Sequence, residues 1–289
     1  MKGISKLGNR GVVFTFEDDI GVYLIQTDTY WFLCDTHLGP QSMEIIKQYI
    51  AEQANNKAVI VFNSHSDWDH IWGNCAFPGA LIIGHETCRK RMQEIGEFEL
   101  ELESLRQQHC GNIKLMLPNV TFNDRLLFAD EEIEFIYAPG HTVDSAICFD
   151  RKDAVLFVGD LVEQPIPYLD YHDLATYIET LEFIKSFPAK SKLSAHSGIV
   201  DNDLIERNIA YITTILQENP TNPEIYQATP NVHNFNINNR LFLRYENRVR
   251  EKLKDNFNYA LFRRNFKDLK EVTYTDLQAE LEQYMRKIV

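Results

Sequence analysis

The sequence predicts a mixed α/β fold over residues 1–200, followed by a helical extension over residues 201–289. Two observations predict this division. In the first part, short apolar runs bounded by Gly, Pro, Asn and Asp alternate with segments of helical periodicity. In the second part, helical segments follow one another without strand-like runs between them. The length of 289 residues suffices for one large domain or two modest ones.

The strand-like runs can be followed along the chain. Residues 10–36 hold three of them, and the first two flank an acidic turn at Asp18 and Asp19. A helix over 41–54 leads to a buried strand, KAVIVF, and a later helix spans 86–110. The remaining predicted elements are a helix near 173–186 and the strands ALIIG, NVTF, RLLF, EIEFIYA, SAICFD, AVLFVGD and KLSAH.

Two long helical segments and a final helix make up the extension. The runs DLIERNIAYITTILQE and LFLRYENRVREKLKD have helical periodicity and lie on either side of a Pro- and Asn-rich stretch, 219–239. Thr275 and Gln278 have the spacing of a capping box, which predicts the start of the last helix. We expect the extension to pack on the body of the protein with a solvated charged face. Alternatively, it caps a pocket, makes a homodimer contact or forms a small winged-helix-like unit.

The composition is that of an ordinary globular protein, with 44% hydrophobic and 25% charged residues. Mean hydropathy is -0.31. No apolar run approaches the roughly 18–20 residues of a membrane helix, so we expect a cytoplasmic protein without membrane contact. The formal net charge of -13 argues against nucleic acid as a partner, because DNA and RNA are met by clustered Lys and Arg. The five cysteines contain no CxxC pair, which predicts neither a disulfide framework nor a cysteine zinc site.

Side chains that can bind metals follow four of the predicted strands. They are His65, Asp67, Asp69 and His70 after KAVIVF, His141 after EFIYAPG, Asp160 after VLFVG and His196 after KLSA. In layered α/β folds, sites form beside the loops at strand carboxyl ends, so these groups can converge. Imidazole and carboxylate suit zinc, iron or manganese, and seven such groups exceed the three or four that a single zinc uses. The set therefore predicts two metals close together.

The order and spacing of these groups resemble the metallo-β-lactamase superfamily over about residues 12–200. The family's HxHxDH loop corresponds to HSDWDH, and its later elements correspond to PGHTVDS, VGDLV and SAHSG. DTHLG lies where the family has a short loop after an early strand. The resemblance implies a four-layer αβ/βα sandwich for residues 1–200, a metallo-β-lactamase-fold catalytic domain with the metals at one edge between two sheets.

The resemblance also implies how the ligands divide between two divalent metal ions. One metal would take His65, Asp67 and His141, the other would take Asp69, His70 and His196, and Asp160 would bridge both. Asp67 departs from the common pattern, which has a histidine at that position. An additional carboxylate favours harder ions, so iron or manganese stands beside zinc as the expected metal. Alternatively, Asp67 only orients a histidine ligand.

The activity implied by the resemblance is hydrolysis, with a hydroxide held between the metals as the nucleophile. Asp69 could accept or relay a proton as a catalytic residue. The stretch after Asp160 resembles glyoxalase-II-like thioesterases and lactonases, so the expected substrate is a small ester, thioester or lactone. Two alternatives stay open. One is a phosphodiesterase of the HxDxDH type, which HSDWDH also resembles, and the other is a non-catalytic metal-binding or sensor protein.

Four further residues are candidate substrate contacts. Tyr168, Tyr171 and His172 follow Asp160 in the chain, where hydrolases of this family often place residues that touch the substrate. His37 lies in the DTHLG loop, from which it is expected to approach the site or to bond to the backbone of its own loop.

Overall fold

The computed structural model describes residues 1–53, 55–105, 109–217 and 229–288. These residues form two compact units. The first unit comprises Met1–Pro139, Asp144–Val162 and Ser186–Asp201, and the second comprises Gly140–Val143, Glu163–Lys185 and Asn202–Val289. Residue 54, residues 106–108, residues 218–228 and residue 289 belong to predicted helices and a predicted loop, and they lie outside the described residues.

A long mixed sheet forms one layer of the first unit. Within the described ranges it has seven strands that are neighbours in chain order. The strands are β1 Gly3–Leu7, β2 Gly11–Thr15, β3 Gly21–Gln26, β4 Tyr30–Cys34, β5 Ala58–Phe62, β6 Leu81–His85 and β7 Val120–Phe122. The first four pair antiparallel and the last four pair parallel. The parallel part brings the carboxyl ends of β4 and β5 to the same edge of the sheet.

A second sheet lies in the same unit. Its order is β13-β12-β11-β10-β9-β8. Its strands are β8 Arg125–Phe128, β9 Ile133–Tyr137, β10 Ala146–Asp150, β11 Val155–Gly159, β12 Ser191–Ser194 and β13 Gly198–Val200. Neighbours are antiparallel except for β11 and β12, which are parallel. Both β11 and β12 therefore end at one edge, and Asp160 and His196 follow them there.

The two sheets share one apolar core. Phe62 of the first sheet stacks on Phe135 of the second with ring centroids 4.4 Å apart, and Tyr23 packs near Phe157. All four side chains are fully buried, and burying a side chain of this size stabilises a fold by about 1.5–3 kcal/mol. The alternation of apolar residues along these strands therefore fixes which face of each strand points inward.

Helices cover the opposite face of the first sheet. Its inward residues on that face form a second core cluster that includes Met43 and Ile46 of helix α1, Pro40–Glu52. The loop after β5 leads into a short helix α2, Trp68–Ile71, and a 3-10 turn. Helix α3, Glu86–Leu105, follows β6.

A buried ion pair joins the β1–β2 turn to the second sheet. Both Arg10 Nε and Nη2 donate to the carboxylate of Asp150, and Asp150 is fully buried. The carboxylate of Asp153 accepts hydrogen bonds from the backbone N–H groups of Asn9 and Arg10. The two carboxylates therefore hold the β1–β2 turn against the β10–β11 loop.

The second unit is built from helices. They are α4 Leu174–Ser186, α5 Asn202–Leu216, α6 Pro230–Leu253, α7 Tyr259–Arg263 and α8 Tyr274–Lys287. A separate core, centred on Phe242, Phe262 and Leu277, holds α6, α7 and α8 together. None of the helices in the described ranges has the length and apolar composition that would let it cross a membrane. The role of these helices as a cap or a dimer contact stays a prediction.

The structure corrects two of the predictions made for this unit. Helix α6 begins at Pro230, so the part of the predicted loop over 230–239 is helical. Proline fits the first turn of a helix, and the asparagines there use their amides for tertiary hydrogen bonds. The capping residue of α8 is Thr273, whose Oγ1 accepts from the N–H of Asp276. The predicted cap at Thr275 is therefore wrong by two residues.

Candidate metal centre

Four predicted ligands follow β5: His65 and Asp67 lie in the loop before α2, and Asp69 and His70 lie in α2 itself. His65 and His70 are buried, whereas Asp67 and Asp69 are partly exposed. The Nε2 atom of His65 lies 3.5 Å from Oδ2 of Asp67, and Nε2 of His70 lies 3.6 Å from Oδ2 of Asp69. This segment therefore pairs each of its two histidines with a carboxylate.

The second sheet brings Asp160 and His196 to the same place. Gly159 ends β11 with a φ of +54°, and a Cβ at this position would lie 2.8 Å from Oγ of Ser64. Glycine therefore permits the close approach of β11 to the loop that follows β5. Oδ2 of Asp160 then lies 3.2 Å from Nε2 of His70 and 3.2 Å from Nε2 of His196.

His196 completes a compact cluster with the loop residues. Its Nε2 lies 3.3 Å from Nε2 of His70 and 3.3 Å from Oδ2 of Asp69. The possible ligand atoms of His65, His70 and Asp160 lie within 4.8 Å of one another, and so do those of Asp69, His70 and His196. Such convergence of imidazole nitrogens and carboxylate oxygens is typical of transition-metal sites.

The electrostatics of the cluster favour a cation. Burial alone would lower the pKa of His196, but the carboxylates of Asp160 and Asp69 raise it to about 11. Burial likewise opposes protonation of His70, and Asp160, Asp69 and Asp35 nevertheless raise its pKa well above the ordinary value. The carboxylates around His70 and His196 therefore stabilise positive charge at this site.

A buried carboxylate behind the site fixes the histidine tautomers. Nδ1 of His70 donates to Oδ2 of Asp35 at 2.8 Å. The hydroxyl of Ser64 donates to the same oxygen at 2.7 Å, which leaves its own oxygen to accept from Nδ1 of His65 at 2.9 Å. Both rings therefore carry a proton on Nδ1 and direct Nε2 toward the carboxylates.

These contacts show that the residues present fit a metal. Neutral imidazole binds a cation through the nitrogen that carries no proton, and the second nitrogen of a metal-binding histidine is usually held by a carboxylate, a carbonyl or water. His65 and His70 have this arrangement, with carboxylate oxygens beside each Nε2. The donor set suits zinc, iron or manganese and does not distinguish among them.

The seventh predicted ligand, His141, belongs to the Gly140–Val143 segment of the second unit. Its Nδ1 donates to the carbonyl of Tyr168 at 3.1 Å, and its own carbonyl accepts from the N–H of Asp170 at 2.9 Å. The side chain is 3% exposed. The bond at Nδ1 again assigns the ligand position to Nε2, and the part of His141 in a metal set stays a prediction.

The predicted substrate contacts have different surroundings. His37 is buried, stacks on Phe16 with ring centroids 4.0 Å apart, and has Nε2 2.9 Å from the carboxylate of Asp18. This contact with a side chain differs from the backbone bond considered as the alternative.

The other three contacts lie in the second unit. The ring of Tyr168 packs against Phe235, and the rings of Tyr171 and His172 contact each other edge to face. His172 is exposed, and the two tyrosines are partly buried. Their contact with a substrate, like that of His37, stays a prediction.

Sequence reasoning missed Asp35 and Ser64. Asp35 has a φ of +64°, a conformation that Asp adopts more readily than most residues. The signal available was an acidic residue directly after the buried strand β4, at the same sheet edge as the histidine loop.

Comparison with known proteins finds a family model and a named relative that match this chain. The family model described as Metallo-beta-lactamase superfamily matches residues 18–196. A hydroxyacylglutathione hydrolase from Thermosynechococcus vestitus is 24% identical over 213 residues, which span 69% of this chain and 73% of that protein.

Solved structures share the fold at low sequence identity. A metallo-beta-lactamase from Pontibacter korlensis superposes with a TM-score of 0.58 at 18% identity and covers 73% of this chain and 98% of its own. The DIM-1 metallo-beta-lactamase gives 0.58 at 16% identity, over 74% of this chain and 97% of its own. These likenesses confirm the predicted αβ/βα fold class. Because the family model spans more than half of the sequence, the chain belongs to the metallo-β-lactamase superfamily.

Proposed function

We propose that this chain is a dinuclear metal-dependent hydrolase that acts on a small ester, thioester or lactone. The observation that carries the proposal is the position of Oδ2 of Asp160, which lies 3.2 Å from Nε2 of His70 and 3.9 Å from Nε2 of His65. A carboxylate oxygen between histidines of the two predicted metal sets is suited to bridging two cations. We expect a small-molecule substrate rather than nucleic acid, because the net charge is -13.

Seven side chains would hold the two cations. One cation would be bound by His65, Asp67 and His141, the other by Asp69, His70 and His196, with Asp160 shared. Three carboxylates against two divalent cations leave one net positive charge. A site with this much carboxylate favours harder ions than an all-histidine set, so iron and manganese are candidates beside zinc.

Bound divalent cations would supply a water of pKa about 7 and would polarise the oxygen under attack. The chain's own residues then handle the protons. Oδ2 of Asp69 lies within 3.6 Å of His70 Nε2 and 3.3 Å of His196 Nε2, so Asp69 can accept a proton at the edge of the site. Asp69 is partly exposed, which gives that proton a route to solvent.

A relative supports an acyl substrate. The protein from Thermosynechococcus vestitus is named for the hydrolysis of a hydroxyacylglutathione, and the similarity covers 73% of its length. The loop after β11 carries Tyr168, Tyr171 and His172, and we propose that these side chains, with His37, contact the acyl compound.

A substrate panel tests the proposal. Purified protein reconstituted with zinc, iron or manganese would be assayed on p-nitrophenyl acetate, an S-acyl glutathione, an acyl lactone and bis-p-nitrophenyl phosphate. We expect turnover of at least one of the first three, and a loss of about 10²–10⁴-fold in Asp69→Asn, the usual contribution of a positioned general base. Asp153→Asn, a buried carboxylate in the β10–β11 turn, is the control and should retain activity.

A phosphodiesterase is the second candidate. Oδ2 of Asp67 lies 3.5 Å from Nε2 of His65. The aspartate at this position is therefore close enough to share a cation with the histidine, which supports the HxDxDH type. Hydrolysis of bis-p-nitrophenyl phosphate alone would establish this candidate and reject the acyl substrate.

A further inference from the structure

Buried asparagines on α5 and α6 hold the irregular segment that follows β11. Asn208 of α5 is fully buried. Its Oδ1 accepts from the N–H of Glu163 at 3.0 Å, and its Nδ2 donates to the carbonyl of the same residue at 2.8 Å. The start of the segment is therefore fixed by one side-chain amide through both backbone groups of one residue.

Asn236 of α6 fixes the middle of the segment. Its Oδ1 accepts from the N–H of Leu169 at 3.0 Å, and its Nδ2 donates to the carbonyl of Pro167 at 2.8 Å. The second proton of Nδ2 faces the hydroxyl of Tyr211 at 3.0 Å. The amide is fully buried and both of its donors are used, so no smaller side chain can replace these bonds.

Asn239, one turn further along α6, fixes the end of the segment. Its Nδ2 donates to the carbonyl of Leu169 at 2.9 Å and also contacts the carboxylate of Asp170. Leu169 is thus bonded through its N–H to one asparagine and through its carbonyl to the other.

The segment that follows β11 is hydrogen-bonded to His141 through two of its residues. The N–H of Asp170 donates to the carbonyl of His141, and the carbonyl of Tyr168 accepts from Nδ1 of the His141 ring. Tyr168 and Asp170 flank Leu169 directly, so a shift of Leu169 moves both partners of His141. The carbonyl of Tyr168 sets the tautomer that leaves the lone pair on Nε2.

We propose that Asn236 and Asn239, both on α6, are positioning residues for His141. The inference rests on the proposed function, in which His141 is a metal ligand. Groups that orient a metal-binding histidine typically change metal affinity by 10–100-fold when they are removed. The effect should fall on the metal bound by His141 and spare the metal bound by Asp69, His70 and His196.

The same helix supplies a matched control. Asn238 is buried like its neighbours, and its Nδ2 donates to the carbonyls of Leu269 and Val272. Asn238→Ala removes two hydrogen bonds from a buried amide of α6, as Asn239→Ala does. It leaves the segment around Leu169 with all of its bonds.

Metal titration of folded protein is the first test. Metal-free wild type, Asn236→Ala, Asn239→Ala and Asn238→Ala would be titrated with Mn²⁺ or Zn²⁺ against a chelating dye, after thermal melts select the folded variants. We expect one of the two metals to bind 10–100-fold more weakly in Asn236→Ala and Asn239→Ala, with both affinities retained in Asn238→Ala. Wild-type affinities in Asn236→Ala and Asn239→Ala, or the same loss in Asn238→Ala, would overturn the proposal.

Amide exchange separates this inference from the proposed activity. In metal-free protein, Asn236→Ala should speed hydrogen exchange at Asp170, whose N–H bonds to His141, whereas Asn238→Ala should leave that rate unchanged. Equal rates at Asp170 in wild type and Asn236→Ala would reject the positioning role, whatever the enzyme hydrolyses. If wild type binds two metals and hydrolyses no substrate of the panel, the hydrolase proposal fails, and the difference between the asparagine variants still decides this one.

Discussion

Replacing Asp35 with asparagine removes one acceptor oxygen behind the metal centre and keeps the shape of the side chain. Asp35 is fully buried. Its Oδ1 accepts from the N–H of Ser64, and its Oδ2 accepts from both the Ser64 hydroxyl and His70 Nδ1. The N–H of Ser64 cannot turn away, so the asparagine oxygen stays with it and the new NH₂ group faces two former donors. Asparagine also tolerates the φ of +64° at this position, which alanine would not.

The tautomer of His70 must then change. Facing an NH₂ group, Nδ1 becomes the acceptor, the ring proton moves to Nε2, and the nitrogen that faces Asp160 can no longer bind a cation. The Ser64 hydroxyl also loses its acceptor, which releases Nδ1 of His65. Second partners of this kind are worth about 10–100-fold in metal affinity, or roughly 1.4–2.7 kcal/mol. Each lost hydrogen bond to the carboxylate costs stability by about 1.5–3 kcal/mol.

Two measurements follow the change in Asp35→Asn. Competition with a chelating dye gives the metal affinities, and ¹⁵N chemical shifts of the His70 ring report its tautomer directly. Asp153→Asn serves as control, because its buried carboxylate accepts comparable bonds from Asn9 and Arg10 away from the metal residues, so it should lower stability and keep both metals. Wild-type metal affinity in Asp35→Asn, with the His70 proton still on Nδ1, would refute the reasoning.

Three further predictions concern proton release on metal binding and two substitutions. Asp160 and Asp69 raise the pKa of His196 to about 11, so the metal-free protein is protonated there at neutral pH. Metal binding should therefore release protons and strengthen as pH rises, which calorimetry in buffers of different ionisation enthalpy measures; binding without proton release would contradict the assignment. Arg10→Ala leaves the buried Asp150 carboxylate without its cation and should lower the unfolding free energy by about 3–5 kcal/mol in denaturant titrations, with metal content unchanged. Asp67→His should shift the metals found by elemental analysis from iron or manganese toward zinc; an unchanged metal ratio would show that Asp67 is not a ligand.

The strands were predictable from sequence because burial leaves a local pattern. Runs such as GVVFTF and AVLFVGD are apolar over the length of a strand and end at turn residues, and both form strands of the sandwich. β1 and β13 escaped prediction because each lies at an end of its sheet, where four of the five residues of β1 are exposed. An edge strand without an apolar face carries little periodic signal.

The first part of helix α6 was not predicted, for a different reason. Asparagine is common in turns, so the stretch before LFLRYENRVREKLKD was predicted as a loop. In the fold, Asn236, Asn238 and Asn239 are buried and bond to backbone groups far away in the chain. Only the tertiary structure shows that these amides form buried hydrogen bonds, because their partners lie 31–70 residues away in the chain.

The residues of the candidate site that belong to the family's motifs could be predicted from sequence. The residues that hydrogen-bond to them from behind could not. Six of the seven predicted ligands lie in the first unit, where each has an imidazole nitrogen or carboxylate oxygen within 3.6 Å of another of the six. Asp35 and Ser64 have no motif that marks them, since their role depends on the directions of individual protons. Sequence patterns identify which side chains meet, and the hydrogen bonds behind them show which nitrogen each histidine offers.

Anomalous diffraction from crystals of the metal-loaded protein tests the dinuclear centre most directly. Data collected on both sides of the metal absorption edge should show two peaks about 3.5–4 Å apart, with Asp160 between them and His70 bound through Nε2. A single peak, or peaks away from these side chains, would contradict the proposed centre.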